Sequence, residues 1–197
     1  MSRHADFYFD FGSPASYLAW TQLSGIARAA GAELRLHPVL LGGVFQATGN
    51  QSPAQVPRKA AWMRRDMERY AARYGVPFVN NPHFPVNTLQ LMRGAVGYWM
   101  RKPESFDTYV AAIFRAMWAE GANLGDPAVL AQVLLRAGLD SRDFLALVQD
   151  PAVKEQLRAD TEAAVGRGLF GAPTMFVGGE MYFGQDRLDF VREALLA

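Results

Sequence analysis

The residues best placed to do chemistry begin at Gly12-Ser13-Pro14-Ala15-Ser16, a break that follows the aromatic run Asp6-Phe-Tyr-Phe-Asp-Phe11. The run favours a strand over 6–11, and the break predicts a helix, because Pro14 suits a first helical turn and Ser13 the cap before it. The Ser13 hydroxyl then stands at a helix N-terminus, where unpaired N–H groups and the helix dipole favour an anion. A serine ahead of a proline also serves simply as a cap. A second candidate is Phe170-Gly171-Ala172-Pro173-Thr174, by pattern alone a strand opened by a proline. A third is Phe183-Gly184-Gln185-Asp186-Arg187-Leu188, where Gln185 and Asp186 either box the start of the last helix or receive an ammonium and a carboxylate. His4, His37 and His83 are too scattered to suggest a metal site, and no metal is expected.

Composition narrows the chemistry further. The 197 residues include no cysteine, which excludes disulfides, Cys-ligated zinc, iron–sulfur clusters and catalysis by a protein thiol. A net charge of +1 supplies no broad cationic surface for nucleic acid or anionic membrane, so small molecules are the expected partners. The first residues do not read as a signal peptide, and no apolar run approaches the ~20 residues of a membrane span, so a soluble, cytoplasmic protein is expected.

The candidate residues need elements to hold them. Tyr17, Leu18, Leu23, Ile26 and Ala27 give the first helix its buried stripe down to Gly31, and 33–39 alternates as a second strand. Strand, helix, strand in so short a stretch is a βαβ unit with a parallel pair. From 57 to 168 helical patterns dominate. Over 59–74, Met63, Met67, Tyr70 and Tyr74 form an apolar stripe with Arg64, Arg65, Glu68, Arg69 and Arg73 off it. Further helices are expected at 106–118, 127–137, 141–148 and 153–167, with Asp126 and Asp150 as caps. A hairpin over 174–183 turns at Gly178-Gly179, and a helix over 185–196 ends the chain.

This order predicts an α/β, thioredoxin-like fold, residues 1–40 and 169–197, with a helical subdomain, 41–168, inserted between its βαβ and ββα halves. In that fold the position of Ser13 carries the first cysteine of Cys-x-x-Cys; here the pair is Ser13-x-x-Ser16. The proline at Pro173 is usually cis and faces that position.

Four blocks in order make the resemblance specific: the segment from Asp6 to Ala19, Pro57-Arg-Lys-Ala-Ala-Trp62 onward, Asn81-Pro-His-Phe-Pro-Val-Asn-Thr88, and Phe170-Gly-Ala-Pro-Thr with Phe183-Gly-Gln-Asp-Arg-Leu188. Together they resemble the 2-hydroxychromene-2-carboxylate isomerase family, a sister group of the kappa-class glutathione transferases among DsbA-type proteins. The resemblance implies glutathione as cofactor, a small aromatic acid as substrate and a homodimer. It implies that Ser13 binds the glutathione sulfur and that Ala172, before cis Pro173, pairs through its backbone with the cysteinyl part. Gln185 and Asp186 are implied at the γ-glutamyl end, with Asn50 and Lys59 elsewhere around the tripeptide. Gln185 departs from the serine or asparagine often found there, and Ala172 from valine or leucine. A glutathione thiolate adding reversibly to a ring-opened hydroxybenzylidenepyruvate would allow rotation about the former double bond. An apolar slot for that substrate could draw on Trp62, Phe84, Phe45, Lys59 and Asn87, although each aromatic also suits core packing and Lys59 a solvated surface. The competing readings are a kappa-like glutathione transferase and a non-catalytic binding module of the same fold.

Overall fold

A computed structural model describes residues 3–197; the first two residues of the expected 1–40 segment lie outside the described residues. Its sheet has four strands in the order β2-β1-β3-β4, where β1 is His4–Phe9, β2 Glu33–Pro38, β3 Thr174–Val177 and β4 Glu180–Phe183. The β1–β2 pair is parallel, with Phe7 opposite Leu36, and is joined by α1, Pro14–Ala29. β3 runs antiparallel to both β1 and β4, so the centre of the sheet joins opposite ends of the chain. Gly178 and Gly179 turn the hairpin with φ of 60° and 113°, a region that favours glycine.

Strand alternation sorts β1 into two faces. Ala5, Phe7 and Phe9 are fully buried in the main core, while Tyr8 faces a smaller cluster with Val39, Ala164 and Leu169. Between β2 and β3 every element is helical: α2 Leu41–Thr48, α3 Pro57–Tyr74, α4 Leu89–Arg101, α5 Phe106–Trp118, α6 Pro127–Arg136, α7 Ser141–Gln149 and α8 Pro151–Gly166. The final helix is α9, Leu188–Leu196. One apolar core runs through both the strands and these helices, from Phe9 and Phe11 to Phe114 and Phe144. Asp126 and Asp150 cap α6 and α8 by accepting N–H groups at 2.8 Å.

Several expected boundaries move. The first strand is shifted towards the N-terminus, because its partner β2 stops at Pro38, opposite Phe9. The expected helix over 185–196 begins as a 3-10 turn, Gln185–Arg187, before α9. The sequence delimits neither α2 nor α4, since both contain paired glycines that read against helix. In α4 those glycines are required by close packing. A Cβ on Gly94 would lie 2.4 Å from the Tyr109 hydroxyl, and one on Gly97 2.8 Å from Leu147 Cβ.

Candidate functional site

Ser13 ends the β1–α1 turn as the N-cap of α1, and it is buried. Its Oγ accepts the Ser16 N–H at 3.1 Å and donates to the Ala172 carbonyl at 3.0 Å, joining residues 159 positions apart. The Ala172–Pro173 peptide is cis, as the sequence led us to expect. The Pro173 carbonyl accepts the Gly184 N–H at 3.0 Å, which draws the end of β4 beside the same edge. Among the described residues no group accepts the Ala172 N–H. Ala172 therefore presents one unused backbone donor and one carbonyl held only by a serine hydroxyl. Such an edge can pair with another extended backbone. A Cβ on Gly171 would fall 2.8 Å from the Phe183 ring, so glycine there lets Phe183 lie across the backbone against Phe170.

The other candidates surround this pair at varying range. Asn50 donates from Nδ2 to the Phe170 carbonyl at 2.9 Å, two residues before Ala172, while its Oδ1 accepts the Gln51 N–H. Gln185 is buried and its carbonyl accepts the Tyr74 hydroxyl at 2.6 Å, tying α3 to the start of the last turn. Asp186 is exposed and ion-paired with Arg187 at 2.7 Å. Lys59 is exposed on the first turn of α3, and Trp62, 60% exposed, stands on the outer side of that helix. Phe84 rests against Trp118, Phe45 is half-buried in α2, and Asn87 uses its Oδ1 to accept the Leu89 N–H at the start of α4. Ser13, Ala172, Pro173 and Asn50 are thus brought into one neighbourhood by direct bonds. Of the aromatic residues, Phe45 lies on α2, Trp62 on α3 and Phe84 in the loop between α3 and α4.

Residues 5–196 match the DSBA-like thioredoxin domain. The chain is 34% identical to the 2-hydroxychromene-2-carboxylate isomerase of Sphingobium xenophagum over the whole of both chains. It is 36% identical to that of Pseudomonas putida, covering 96% of this chain and 93% of the relative. The chain belongs to the DsbA-like thioredoxin family and, within it, to the 2-hydroxychromene-2-carboxylate isomerase group. A solved structure of a 2-hydroxychromene-2-carboxylate isomerase superposes with a TM-score of 0.86 at 34% identity, covering 98% of this chain and 94% of that one. Human glutathione S-transferase kappa 1 is 26% identical over 99% of this chain and 92% of its own.

Within this DsbA-like frame two further residues belong to the turn. Ser16, where the frame keeps its second cysteine, is fully buried, and its hydroxyl has no hydrogen-bond partner. Asp10, 1% exposed, lies directly beneath the turn, and burial pushes its carboxyl up although Leu41, Gly12 and Thr88 all donate to it. Ser16 is legible in the sequence as the second member of the Ser13-x-x-Ser16 pair. Asp10 gave no signal, since in sequence it is one polar residue within an aromatic strand.

Two of the three histidines, His4 and His37, approach Asp6, at 3.8 and 3.2 Å, because parallel pairing sets β1 and β2 side by side, while His83 lies apart in the loop before α4. Arg167 completes that cluster at 2.7 Å from Asp6. Two open clefts lie outside the Ser13 turn. One, of about 560 Å³, is walled by α2, α4 and α8 around Arg93 and Thr161, and one, of about 680 Å³, runs along β2 beside Trp99 and Arg167. Neither is lined by Ser13 or Ala172. The candidate site is instead an edge defined by hydrogen-bond geometry. No described helix is long and apolar enough to cross a membrane.

Proposed function

We propose that this protein is a glutathione-dependent cis–trans isomerase of 2-hydroxychromene-2-carboxylate-type aromatic acids. The observation that carries the reading is the bond from Ser13 Oγ to the Ala172 carbonyl beside cis Pro173, at a helix N-terminus in a chain without cysteine. Relatives named as isomerases of this substrate, at 34–36% identity, give the reaction class.

Glutathione supplies the reversible thiolate nucleophile that opens a conjugated double bond to rotation and then leaves unchanged. The chain's contribution is to hold and ionise the sulfur. The Ser13 hydroxyl turns from the Ala172 carbonyl to donate to it, and the N-terminal dipole of α1 favours its charge. The vacated carbonyl of Ala172 then accepts an amide N–H from the tripeptide while the Ala172 N–H donates to a tripeptide carbonyl. Asp186 and Gln185 flank the ammonium-bearing end, with Asn50 and Lys59 around the remainder.

The test is isomerisation of a hydroxybenzylidenepyruvate with and without glutathione, with glutathione measured before and after. Strict dependence without consumption is expected. Ser13→Ala should lower both the rate and the thiolate absorbance of bound glutathione; if both persist, Ser13 does not hold the sulfur. Resemblance over its full length to human glutathione S-transferase kappa 1 supports conjugation as a second reading. Loss of glutathione on incubation with an electrophilic aromatic halide distinguishes that activity. The same reading carries a homodimer in the cytoplasm, for which the exposed Leu135 and Leu145 offer apolar surface and sedimentation is the measurement.

A further inference from the structure

The Ser13 turn is held almost entirely from beneath. Asp10 Oδ1 accepts the Gly12 N–H at 2.8 Å, Oδ2 accepts the Leu41 N–H at 2.8 Å, and the Thr88 hydroxyl also donates to this carboxylate. The Asp10 carbonyl accepts the Ser13 N–H at 3.0 Å, closing the turn from the other side. Leu41 begins α2, whose preceding residue Leu40 has no side chain able to cap it, and Thr88 precedes α4, where Asn87 Oδ1 accepts the Leu89 N–H. For α2 Asp10 supplies the missing acceptor across the fold, and at α4 it takes the Thr88 hydroxyl, so the starts of α1, α2 and α4 converge on one carboxylate. A Cβ on Gly12 would meet Thr88 at 3.1 Å, so the turn also rests sterically on the start of α4.

Fixing the turn in this way fixes the Ser13 hydroxyl. The neighbouring groups reinforce it: the Phe11 carbonyl accepts from Trp118 Nε1 at 2.7 Å, and the Phe11 N–H points at Met92 Sδ at 3.4 Å. The helical segment between β2 and β3 therefore acts as the bed of the turn. Burying a carboxylate is costly unless donors surround it, and donors to both oxygens leave little freedom to move. From this geometry we infer that Asp10 is a positioning residue for the sulfur-binding serine: it aligns the Ser13 hydroxyl with the Ala172 edge by anchoring the turn to α2 and α4. The inference rests on the proposed reading of Ser13 as the group that holds the glutathione thiolate.

Two variants test it. Thr88→Val removes one donor to Asp10 without altering charge, and Asp10→Asn keeps an oxygen for Gly12 while setting an amide against the Leu41 N–H. Folding is checked by circular dichroism, and the pH midpoint of bound-glutathione thiolate absorbance is measured beside kcat and KM. Misaligning a single donor is expected to cost about tenfold in kcat for Asp10→Asn and about threefold for Thr88→Val, with KM for glutathione within about twofold. In Thr88→Val, where charge is constant, the thiolate midpoint moves up. If Asp10→Asn fails to fold, Thr88→Val decides. Folded variants with unaltered kcat and midpoint overturn the inference, even if their melting temperature falls, since that pattern marks a purely structural anchor. An unaltered protein that binds glutathione without a thiolate signal overturns the reading of Ser13 itself, and the two failures are thereby distinguished.

Discussion

Replacing Ser16 by alanine should stabilise the ligand-free protein, an outcome opposite in sign to that for its neighbour Ser13. The Ser16 hydroxyl is fully buried and unpaired. An orphaned hydroxyl costs about 1–3 kcal/mol of desolvation, which its removal recovers. Alanine is also the better helix former by roughly 0.5 kcal/mol, an advantage reduced in the first turn. Against these gains stands the small void left by one oxygen, about 0.5 kcal/mol. The balance is a gain of at least about 1 kcal/mol, and for a chain of this length each kcal/mol raises Tm by roughly 2–4 °C. Ser13→Ala deletes the bonds to Ser16 N–H and to the Ala172 carbonyl, and the loss of that cap should cost about 1–2 kcal/mol. Both are read by thermal melts without glutathione. A fall of 2 °C or more for Ser16→Ala would refute the reasoning, because it would mean that a partner, such as a buried water, satisfies the hydroxyl.

Three further outcomes follow from the packing. Gly94→Ala should destabilise by about 3 kcal/mol, measurable by urea denaturation, since its methyl would overlap the buried Tyr109 and Phe144 rings. Tyr98→Phe removes a second unpaired buried hydroxyl, whose pKa burial pushes up to about 12, and should leave stability unchanged or higher by about 1 kcal/mol in the same assay. Burial pushes the Asp6 carboxyl up, but the bonds from Arg167 and His37 outweigh it and hold it below the usual carboxylate range. The lowered value means that this contribution to stability is present above the unfolded pKa of about 3.9 and is lost as pH falls through the folded value. Because the Arg167 guanidinium is exposed, Arg167→Met should cost only about 1 kcal/mol at pH 7, with the deficit shrinking on acidification below about pH 4; a deficit independent of pH would show that Arg167 acts through packing alone.

The two halves of the sheet are the parts most legible in the sequence. Alternation and turn chemistry mark the βαβ unit and the Gly178-Gly179 hairpin locally, and proline with aspartate marks the starts of α6 and α8. Where a helix start is satisfied from a distance, no local pattern exists to read. That is the case for α2, whose first N–H is accepted by Asp10, 31 residues earlier. Gly94 and Gly97 conceal α4 for the converse reason, since they lower intrinsic helix propensity to admit Tyr109 and Leu147. At the site, Ser13 and Pro173 are informative through the thioredoxin-like order of elements around them, since by local pattern one reads as a helix cap and the other as a proline opening a strand. The buried network beneath them is not legible, because Asp10 acquires its role from two segments distant in sequence, at Leu41 and Thr88.

The bond from Ser13 to Ala172 also has a temporal meaning. Its two ends are 159 residues apart, and the strand that follows Ala172 completes the sheet only by docking against β1. Closing so long a loop is delayed until the intervening helices have collapsed and shortened the distance between its ends. During synthesis, Ser13 emerges 159 residues ahead of Ala172. A truncated or half-folded copy would contain the turn without its facing edge and could hold no ligand there. On the proposed reading, glutathione capture would report that the last strands have closed.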